Sequence, residues 1–359
     1  MPRSRLKALV LAGGSGTRLR PITHTSAKQL VPLANKPILY YGLESIAAAG
    51  VEDIGIVVGD TRDEIVAAVG DGSRWGLRVT YIQQEAPLGL AHAVLIARDY
   101  LGNDPFIMYL GDNLIVEGIT SFVEDFESER PNAQVLLAKV EHPENFGVAE
   151  LDVQGALLRL VEKPKNPASD LALVGVYLFD ESIHEAVGAI VPSARGELEI
   201  TDAIQWLIDH GRVVRPHVIE DQWIDTGKLQ DLLEANRIVL EGIESDVRGV
   251  VDAESSLVGK VIVDEGAEIV GSVVHGPAVI GAGTRVIGSH IGPFSSIAAG
   301  CEIIDSEVGH SVVLEGSRIE GVRRVEDSLI GRDTQVRCSD TQNRPYRLML
   351  GDHSEVQVG

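Results

Sequence analysis

A glycine-rich turn near the amino terminus carries residue types that bind phosphate groups. The apolar residues 9–12 fit a buried parallel strand, and they lead directly into Gly13 and Gly14. Glycines let several backbone N–H groups approach one anion, and the side chains of Arg18 and Lys28 add positive charge. This combination predicts a cradle for phosphate groups.

Two common phosphate loops fit this stretch poorly. The tripeptide Gly14-Ser15-Gly16 begins a dinucleotide-binding pattern, but the position of the third glycine holds Leu19. No Gly-Lys-Ser/Thr follows, as a nucleotide-hydrolase loop would require. A glycine-rich turn after a strand is also common without any ligand, so the interpretation depends on the other residues of the chain.

Two aspartates, Asp112 and Asp225, are candidate metal ligands. Each follows an apolar run and lies close to a glycine. Carboxylates suit Mg²⁺, which usually takes one or two of them together with phosphate and water oxygens. The alternative is that each aspartate only caps a turn, which is a frequent role of this residue.

The dipeptide Glu162-Lys163 follows an apolar run and offers one carboxylate and one ammonium group. Taken alone, it fits an exposed ion pair at the end of a strand, which would contribute little. A site interpretation therefore needs independent support.

The chain from residue 6 to about residue 240 alternates apolar runs with amphipathic segments. Predicted strands lie at residues 54–58, 79–83, 106–110, 134–140, 157–161 and 173–179, and predicted helices at residues 39–49, 62–69, 91–100, 197–210 and 228–240. This alternation predicts an α/β fold with a doubly wound, mostly parallel, Rossmann-like sheet. Ligands bind such sheets at the carboxyl ends of the strands, where Gly13, Gln83 and Asp112 fall.

After residue 242 the pattern changes to a repeat of seventeen residues. The apolar series are Leu257, Val274, Ile291, Val308 and Val325; Val263, Ile280, Ile297 and Leu314; and Ile269, Val286 and Ile303. Gly266, Gly283 and Gly300 keep the same period, as do Ser255, Ser272, Ser289 and Ser306. The repeat predicts a β-solenoid with three short strands per coil, and residues 279–284 resemble the hexapeptide repeat of left-handed parallel β-helices. The predicted domains are 1–240, a linker at 241–252, the β-helix at 253–340, and a tail or cap at 341–359.

Eight motifs resemble, in order, those of the sugar-1-phosphate nucleotidylyltransferases. They are GGSGTRLRP, KQLVP, PLGLAHA, LGDN, FGVAEL, VEKP, GELEITDAI and WIDTG. With the appended repeats, the chain is similar to the long form of the glucose-1-phosphate thymidylyltransferases. The resemblance implies Mg²⁺-dependent, in-line transfer of a nucleotidyl group from dTTP to α-D-glucose 1-phosphate, which gives dTDP-glucose and pyrophosphate.

The resemblance also implies roles for single residues. Arg18, Lys28 and Lys163 would be catalytic, and Asp112 and Asp225 would hold the metal. Nucleotide-binding residues would be Leu11, Ala12, Gly13, Gly14, Gln29, Gln83 and Gly89, and sugar-phosphate-binding residues would be Gly147, Glu162, Lys163, Val174 and Tyr177. The amide of Gln83 would read the base, because an amide both donates to and accepts from a pyrimidine imide. His92 fits a structural role, and Phe146 replaces a tyrosine that is common in the short enzymes.

Composition restricts the partners of this chain. A net charge of −22 argues against a nucleic-acid partner, since phosphate neutralisation needs a basic face. Cys301 and Cys338 lack metal-ligand spacing and indicate ordinary thiols in a reducing cytoplasm. We expect small-molecule substrates, no membrane partner, a cytoplasmic location and a homo-oligomer.

Three alternatives remain at this point. The enzyme would prefer UTP if its site accepts uracil and the 2′-hydroxyl. A second alternative is a non-catalytic regulatory subunit that binds nucleotide sugars, although the intact Asp112, Lys163 and Asp225 argue against it. A third is acyl transfer in the solenoid, with His275 or His310 as a base.

Overall fold

The chain forms two compact units in the computed structural model, which describes residues 6–14, 16, 19–24, 27–219, 223–338 and 348–358. The sheet unit comprises Met1–Ser15 and Ile38–Asp225, and the β-helix unit comprises Gly16–Pro37 and Thr226–Gly359. This division differs from the domain boundaries predicted from the sequence. Residues 16–37 and 226–240 group with the β-helix unit because hydrogen bonds, given below, tie both segments to it.

Up to residue 225 the chain alternates strands and helices much as the sequence predicts. The strands are β1 (Lys7–Leu11), β2 (Pro32–Leu33), β3 (Lys36–Pro37), β4 (Asp53–Val58), β5 (Arg78–Gln83), β6 (Phe106–Leu110), β7 (Asn113–Ile115), β8 (Ala133–Lys139), β9 (Gly147–Leu151), β10 (Leu157–Glu162), β11 (Leu171–Phe179), β12 (Val214–Ile219) and β13 (Trp223–Asp225). The helices, including one after residue 225, are α1 (Ile38–Ala48), α2 (Arg62–Val69), α3 (Leu90–Ile96), α4 (Arg98–Leu101), α5 (Thr120–Glu129), α6 (Ile183–Ala189), α7 (Ile200–Asp209) and α8 (Leu229–Glu241). Among the described residues, no helix has the length and apolar character needed to cross a membrane.

The described part of the sheet unit contains a nine-stranded mixed sheet. β5, β4, β1 and β6 lie side by side in parallel, whereas β11 runs antiparallel to β6, β8 and β9. The predicted Rossmann-like fold is thus confirmed, with half of the sheet antiparallel. The antiparallel half arises where strands follow each other through short turns, as β9 and β10 do, because such turns need no crossover helix.

The parallel strands bring three chain turns to one edge of the sheet. β1, β4 and β6 are continuous apolar runs, as expected for strands covered on both faces. Leu11 at the end of β1 pairs in register with Val57 of β4 and with Leu110 of β6. The residues that follow these three strands therefore lie close together at the carboxyl edge.

The β-helix unit contains three sheets of short parallel strands. The first consists of β14 (Asp246–Val247), β17 (Val261–Val263), β20 (Ala278–Ile280), β23 (Ser295–Ile297), β26 (Val312–Val313), β29 (Leu329–Ile330) and β31 (Met349–Leu350). The second consists of β15 (Val250–Val251), β18 (Glu268–Val270), β21 (Arg285–Ile287), β24 (Glu302–Ile304), β27 (Arg318–Glu320), β30 (Gln335–Cys338) and β32 (Glu355–Val358). The third consists of β16 (Ser256–Val258), β19 (Val273–His275), β22 (His290–Ile291), β25 (Glu307–Gly309) and β28 (Val325–Glu326). This arrangement confirms the fold class predicted for the repeats, a left-handed parallel β-helix.

The apolar columns predicted from the period form the core of the β-helix, with one exception. Ile297 pairs with Val313, so the predicted partner Leu314 is wrong by one residue. The same shortened step recurs between Ile303 and Ile319, because the coil that joins these strands has sixteen residues instead of seventeen. Counting a fixed period along the sequence cannot locate such a deletion.

A ladder of serine hydroxyls joins successive coils at one corner. Ser272 N–H donates to the Ser255 hydroxyl at 3.0 Å, Ser289 N–H to the Ser272 hydroxyl at 2.9 Å, and Ser306 N–H to the Ser289 hydroxyl at 3.1 Å. The Ser289 hydroxyl itself donates to the Ile287 carbonyl at 2.7 Å. The serine period seen in the sequence therefore supplies acceptors for backbone N–H groups that the strands leave unpaired.

Replacing Ser289 by alanine is expected to destabilise the β-helix unit by about 1–3 kcal/mol, because the buried N–H of Ser306 loses its acceptor. Thermal unfolding followed by far-ultraviolet circular dichroism measures the change. Ser256→Ala is the matched control, since Ser256 is exposed on the neighbouring sheet. Equal melting temperatures for the two variants would contradict the role of the ladder.

The β-helix extends beyond both predicted limits. β14 and β15 lie in the predicted linker at 241–252, and they pair with β17 and β18. At the other end, β31 and β32 add to β29 and β30, in the segment predicted as a tail or cap. In each of these two strands a single described side chain, that of Leu350 or Val356, packs against the core. So short a pattern does not reveal the strands in the sequence.

A hairpin formed by β2 and β3 is fastened to the β-helix. Its turn residues Ala34 and Asn35 have positive φ angles of 46° and 63°. The fully buried Asn236 of α8 accepts the Ala34 N–H at 2.9 Å and donates to the Phe294 carbonyl at 3.2 Å. The Asn35 amide donates to the Ile297 carbonyl at 2.8 Å. These bonds explain why residues 16–37 belong to the β-helix unit.

Candidate active site

The predicted phosphate-binding turn lies at the carboxyl edge of the parallel strands. The carbonyl of Leu11 accepts the N–H of Gly111 at 2.9 Å, which joins the ends of β1 and β6. The N–H of Ala12 donates to the carbonyl of Val57 at 2.8 Å, which joins β1 to β4. The structure therefore brings the start of the glycine turn beside the residues that precede Asp112.

The two glycines of the turn have different surroundings. A Cβ atom at Gly13 would lie 3.2 Å from the Gly59 nitrogen and 3.6 Å from the Gln84 Oε1 atom, so this position is closely packed. Gly14 is exposed. The backbone of Gly14 thus remains open to a ligand at this edge.

Two adjacent glutamines, Gln83 and Gln84, lie at the end of β5. The Gln84 Nε2 atom is 3.0 Å from His92 Nδ1 and 3.4 Å from the Gly89 carbonyl oxygen. The Gln83 amide donates to the Gly59 carbonyl at 3.4 Å, and Gly59 lies against Gly13. Recognition of the base by Gln83 stays a prediction. His92 contacts Gln84, so it orients a neighbour, in keeping with the structural role expected of it.

Gly89 packs against peptide backbone. Its φ is 105°, and a Cβ atom there would lie 2.4 Å from the Leu198 oxygen and 2.7 Å from the Leu198 nitrogen. Hydrogen bonds hold Leu198 at this place, to the Leu88 carbonyl at 2.8 Å and from the Ala91 N–H at 3.0 Å. This close contact accounts for the glycine, and a role in base binding stays a prediction.

The candidate metal ligands Asp112 and Asp225 come together although they are far apart in sequence. β7 and β13 pair antiparallel, and Asp225 lies opposite Asn113, the residue after Asp112. Both aspartates are partly exposed. Asp225 thus lies across the strand pair from the residue that follows Asp112, immediately beyond the end of β6.

Asn113 occupies the centre of this arrangement, although the motif resemblance implies no role for it. Its side chain is buried, with 3% exposure. The amide nitrogen donates to Asp112 Oδ1 at 3.1 Å, and the amide oxygen accepts from the Gly175 N–H at 3.2 Å and from Trp223 Nε1 at 2.5 Å. Asn113 is the last residue of the LGDN motif, and this membership was the signal in the sequence that could have indicated its importance.

The predicted sugar-binding residues Gly147 and Glu162 face each other across β9 and β10. A Cβ atom at Gly147 would lie 2.7 Å from Thr201 Cγ2 and 2.8 Å from Leu173 Cδ1, and 3.3 Å from Glu162 Oε2, so glycine leaves room for all three side chains. The Thr201 hydroxyl donates to the same oxygen at 3.3 Å, and Lys163 Nζ lies 3.6 Å from Oε1. Burial raises the pKa of Glu162 above its ordinary value, a shift opposed by Lys163 and Arg195 and reinforced by Glu199.

Arg195 extends the charged cluster around Glu162, and it is not among the site residues predicted from the sequence. Its guanidinium lies 3.7 Å from Glu162, 3.1 Å from Glu197 and 3.0 Å from the buried Glu199. The Ser193 hydroxyl donates to Glu199 at 2.7 Å. Glu197 and Glu199 belong to the GELEITDAI motif, which was the signal for them, whereas Arg195 directly precedes the motif.

Lys163 has an unusual backbone conformation for a residue other than glycine. Its φ is 42°, and its N–H donates to the Phe146 carbonyl at 2.9 Å. Left-handed conformations of this kind concentrate at functional sites. The Phe146 ring packs edge-on against Trp223 at 5.3 Å, which connects the segment before β9 with β13.

Val174 and Tyr177, which were carried over as sugar-pocket residues, lie in the interior of the sheet unit. Val174 is fully buried and Tyr177 is 3% exposed, stacked on Phe179 at 5.9 Å. Burial raises the pKa of the Tyr177 hydroxyl, and the charge of Glu162 adds to the shift.

The remaining predicted residues lie elsewhere in the chain. Lys28 and Gln29 are buried in a 3-10 turn, Lys28–Leu30, that belongs to the β-helix unit. Arg18 lies outside the described residues. In the β-helix, His310 Nδ1 is 2.6 Å from Asp327 Oδ1 and its Nε2 atom is buried, which is unsuited to a base that must meet an acyl acceptor.

Comparisons with known proteins identify the family of this chain. A family model described as nucleotidyl transferase matches residues 7–242. A glucose-1-phosphate thymidylyltransferase of Streptomyces griseus is 63% identical over 353 residues, which cover 98% of this chain and 99% of the relative. One of Streptomyces antibioticus is 58% identical over 354 residues, which cover 98% and 99% of the two chains.

A solved structure reproduces part of the fold. A crystal structure described as a glucose-1-phosphate thymidylyltransferase of Bacillus anthracis in complex with sucrose is similar with a TM-score of 0.62 and 35% identity. The match covers 97% of that shorter chain and 67% of this one, whereas the Streptomyces relatives match nearly from end to end. The family indicated by the motifs is therefore confirmed, and this chain belongs to the nucleotidyl transferases and, within them, to the long form of the glucose-1-phosphate thymidylyltransferases.

Proposed function

We propose that this chain transfers a thymidylyl group from dTTP to α-D-glucose 1-phosphate, giving dTDP-glucose and pyrophosphate. The observation that carries the proposal is the pairing of β7 with β13, which brings Asp225 beside Asp112 at the edge occupied by the glycine turn. Relatives of that activity at 63% and 58% identity over nearly the whole chain support it.

Mg²⁺ fits the residues at this edge. Two neighbouring carboxylates, Asp112 and Asp225, match the one or two that Mg²⁺ takes from a protein, with phosphate and water oxygens completing its shell. Within the described residues, no group of three or more His, Cys, Asp and Glu side chains could hold a metal alone. This donor set suits an ion shared with a phosphate substrate, and such an ion would neutralise charge on the nucleotide phosphates.

The reaction requires two anions to meet. A phosphate oxygen of glucose 1-phosphate forms a bond to the α-phosphorus while the bond from that phosphorus to the β-phosphate oxygen breaks, and pyrophosphate leaves with the electron pair. Lys163 would orient the attacking phosphate, and Glu162 would accept hydrogen bonds from sugar hydroxyls. Arg18 and Lys28 would balance charge on the triphosphate. Orientation of this kind contributes roughly 7–11 kcal/mol to such transfers.

The test is pyrophosphate release with glucose 1-phosphate and each nucleoside triphosphate in turn. We expect dTTP to be preferred. Equal or better use of UTP would move the assignment to the uridylyl enzymes, and no release with any nucleotide would favour the regulatory-subunit alternative.

A pH dependence follows from the raised pKa of Glu162. Because the carboxyl of Glu162 takes up a proton at a higher pH than an ordinary glutamate, its capacity to accept sugar hydroxyls falls early as pH decreases. We expect KM for glucose 1-phosphate to rise more steeply on acidification in the unchanged protein than in Glu162→Gln, because the substrate phosphate, with a second pKa of about 6, titrates in both. Glu162→Gln should show a higher KM at pH 7. Glu197→Gln is the control, and loss of the pH dependence in that variant would contradict the assignment.

We further propose that the enzyme works in the cytoplasm as a homo-oligomer. Two free cysteines and no disulfide among the described residues agree with a reducing compartment. Light scattering coupled to gel filtration tests the oligomer.

A further inference from the structure

We propose that Asn113 is a positioning residue, which fixes the orientation of the Asp112 carboxylate for metal binding. The proposal rests on the proposed function, because that function makes Asp112 a metal ligand. It assigns a role to a buried amide for which the motifs imply none.

The hydrogen bonds of Asn113 determine which way its amide points. Gly175 N and Trp223 Nε1 are both donors, at 3.2 Å and 2.5 Å, so the atom that faces them must be the amide oxygen. The NH₂ group is then directed at Asp112 Oδ1, 3.1 Å away. A rotation of the amide by 180° would place donors against donors and an oxygen against a carboxylate. The two donors therefore lock the amide in the orientation that holds Asp112.

The surroundings of Asn113 make this arrangement rigid. The side chain is 3% exposed, and hydrogen bonds in such a shielded place are stronger than at the surface. A Cβ atom at Gly175 would lie 2.9 Å from Asn113 Nδ2 and 2.6 Å from Leu110 Cδ1, so the neighbouring strand leaves no free space on that side. The amide has one position available to it.

The same amide connects Asp112 with the segments predicted to bind the sugar. Gly175 belongs to β11 between Val174 and Tyr177, and Trp223 packs against Phe146 at 5.3 Å. A shift of β11 or β13 would therefore be transmitted to the Asp112 carboxylate through Asn113. Partners that hydrogen-bond to a ligating carboxylate typically change metal affinity or activity 10–100-fold when removed.

The test measures binding of the Mn²⁺–dTTP complex to the full-length protein, without glucose 1-phosphate, from the change in the electron paramagnetic resonance signal of the ion. Asn113→Ala is expected to weaken Mn²⁺ binding by about 10–100-fold. Gln134→Ala is the matched control, since Gln134 is also 3% exposed and its amide donates to the Phe122 carbonyl at 2.9 Å, away from either aspartate. Both variants should melt at a lower temperature, but only Asn113→Ala should lose metal affinity.

Two further variants distinguish a failure of the proposed metal site from a failure of the positioning role of Asn113. Asp112→Asn should abolish the binding, and if it binds Mn²⁺ as the unchanged protein does, the metal site of the proposed function fails together with this inference. If Asp112→Asn loses binding while Asn113→Ala keeps it, the positioning role alone is overturned. Should Asn113→Ala not fold, Trp223→Phe decides: it keeps a ring against Phe146 and removes one donor to the Asn113 oxygen. An unchanged Mn²⁺ affinity in that variant would overturn the proposal.

Discussion

Replacing Asp225 by alanine is expected to lower kcat by about 10³-fold or more while leaving the fold intact. A bound metal contributes several kcal/mol to stabilising transition-state charge, and each ~1.4 kcal/mol is a factor of ten in rate. Asp225 lies at the last residue of β13 and is partly exposed, so its loss creates no cavity in the core. Pyrophosphate release with Mg²⁺ as the only metal measures the effect.

Two controls sharpen this experiment. Asp225→Asn keeps the shape of the side chain and should lose nearly as much activity, because the metal needs the charge. Asp209→Ala removes one exposed aspartate from α7 and should leave kcat within about twofold. Full activity of the Asp225 variants would refute the metal assignment.

Replacing Gly89 by alanine is expected to destabilise the sheet unit by about 3 kcal/mol or more. A φ of 105° is strained for any L side chain, and the new Cβ atom would meet the Leu198 oxygen at 2.4 Å. Relief of this clash would require the backbone of Leu198 to move, and with it the hydrogen bonds to Leu88 and Ala91. All three tryptophans, Trp75, Trp206 and Trp223, lie in the sheet unit, so urea unfolding followed by tryptophan fluorescence reports on that unit.

The variant Gly76→Ala distinguishes the cost of a positive φ from the cost of the steric clash with Leu198. Gly76 also has a positive φ, 72°, but a Cβ atom there would meet nothing within 4 Å. We expect this variant to lose only about 1 kcal/mol. If both variants have the same urea midpoint, the contact with Leu198 has no energetic importance.

Much of the fold could be predicted because the signals are local. β6 and α2 have the predicted bounds. β6 is a continuous apolar run and α2 an amphipathic segment, and a glycine follows each of them. The β-helix was visible because three columns repeat together. The one-residue slip at Val313 was not, because a shortened coil leaves no trace in composition.

The site was predictable to the extent that its chemistry resides in motifs. The proximity of Asp112 and Asp225 follows from β7 pairing with β13, which no spacing in the sequence encodes. The role of Asn113 depends on donors from Gly175 and Trp223, two distant segments, so it required the three-dimensional structure.

The fastening of the 32–37 hairpin has a consequence for how members of this family can be recombined. Ala34 is hydrogen-bonded to Asn236, and Asn35 to Ile297. Residues 16–37 and 226–359 therefore form one structural unit, although the 188 residues 38–225 separate them in the sequence. A chimera that exchanges only the carboxy-terminal third between relatives would lose the bond from the Ala34 N–H wherever the donor lacks an asparagine at the position of Asn236. Functional exchange should require both pieces to be taken from the same parent.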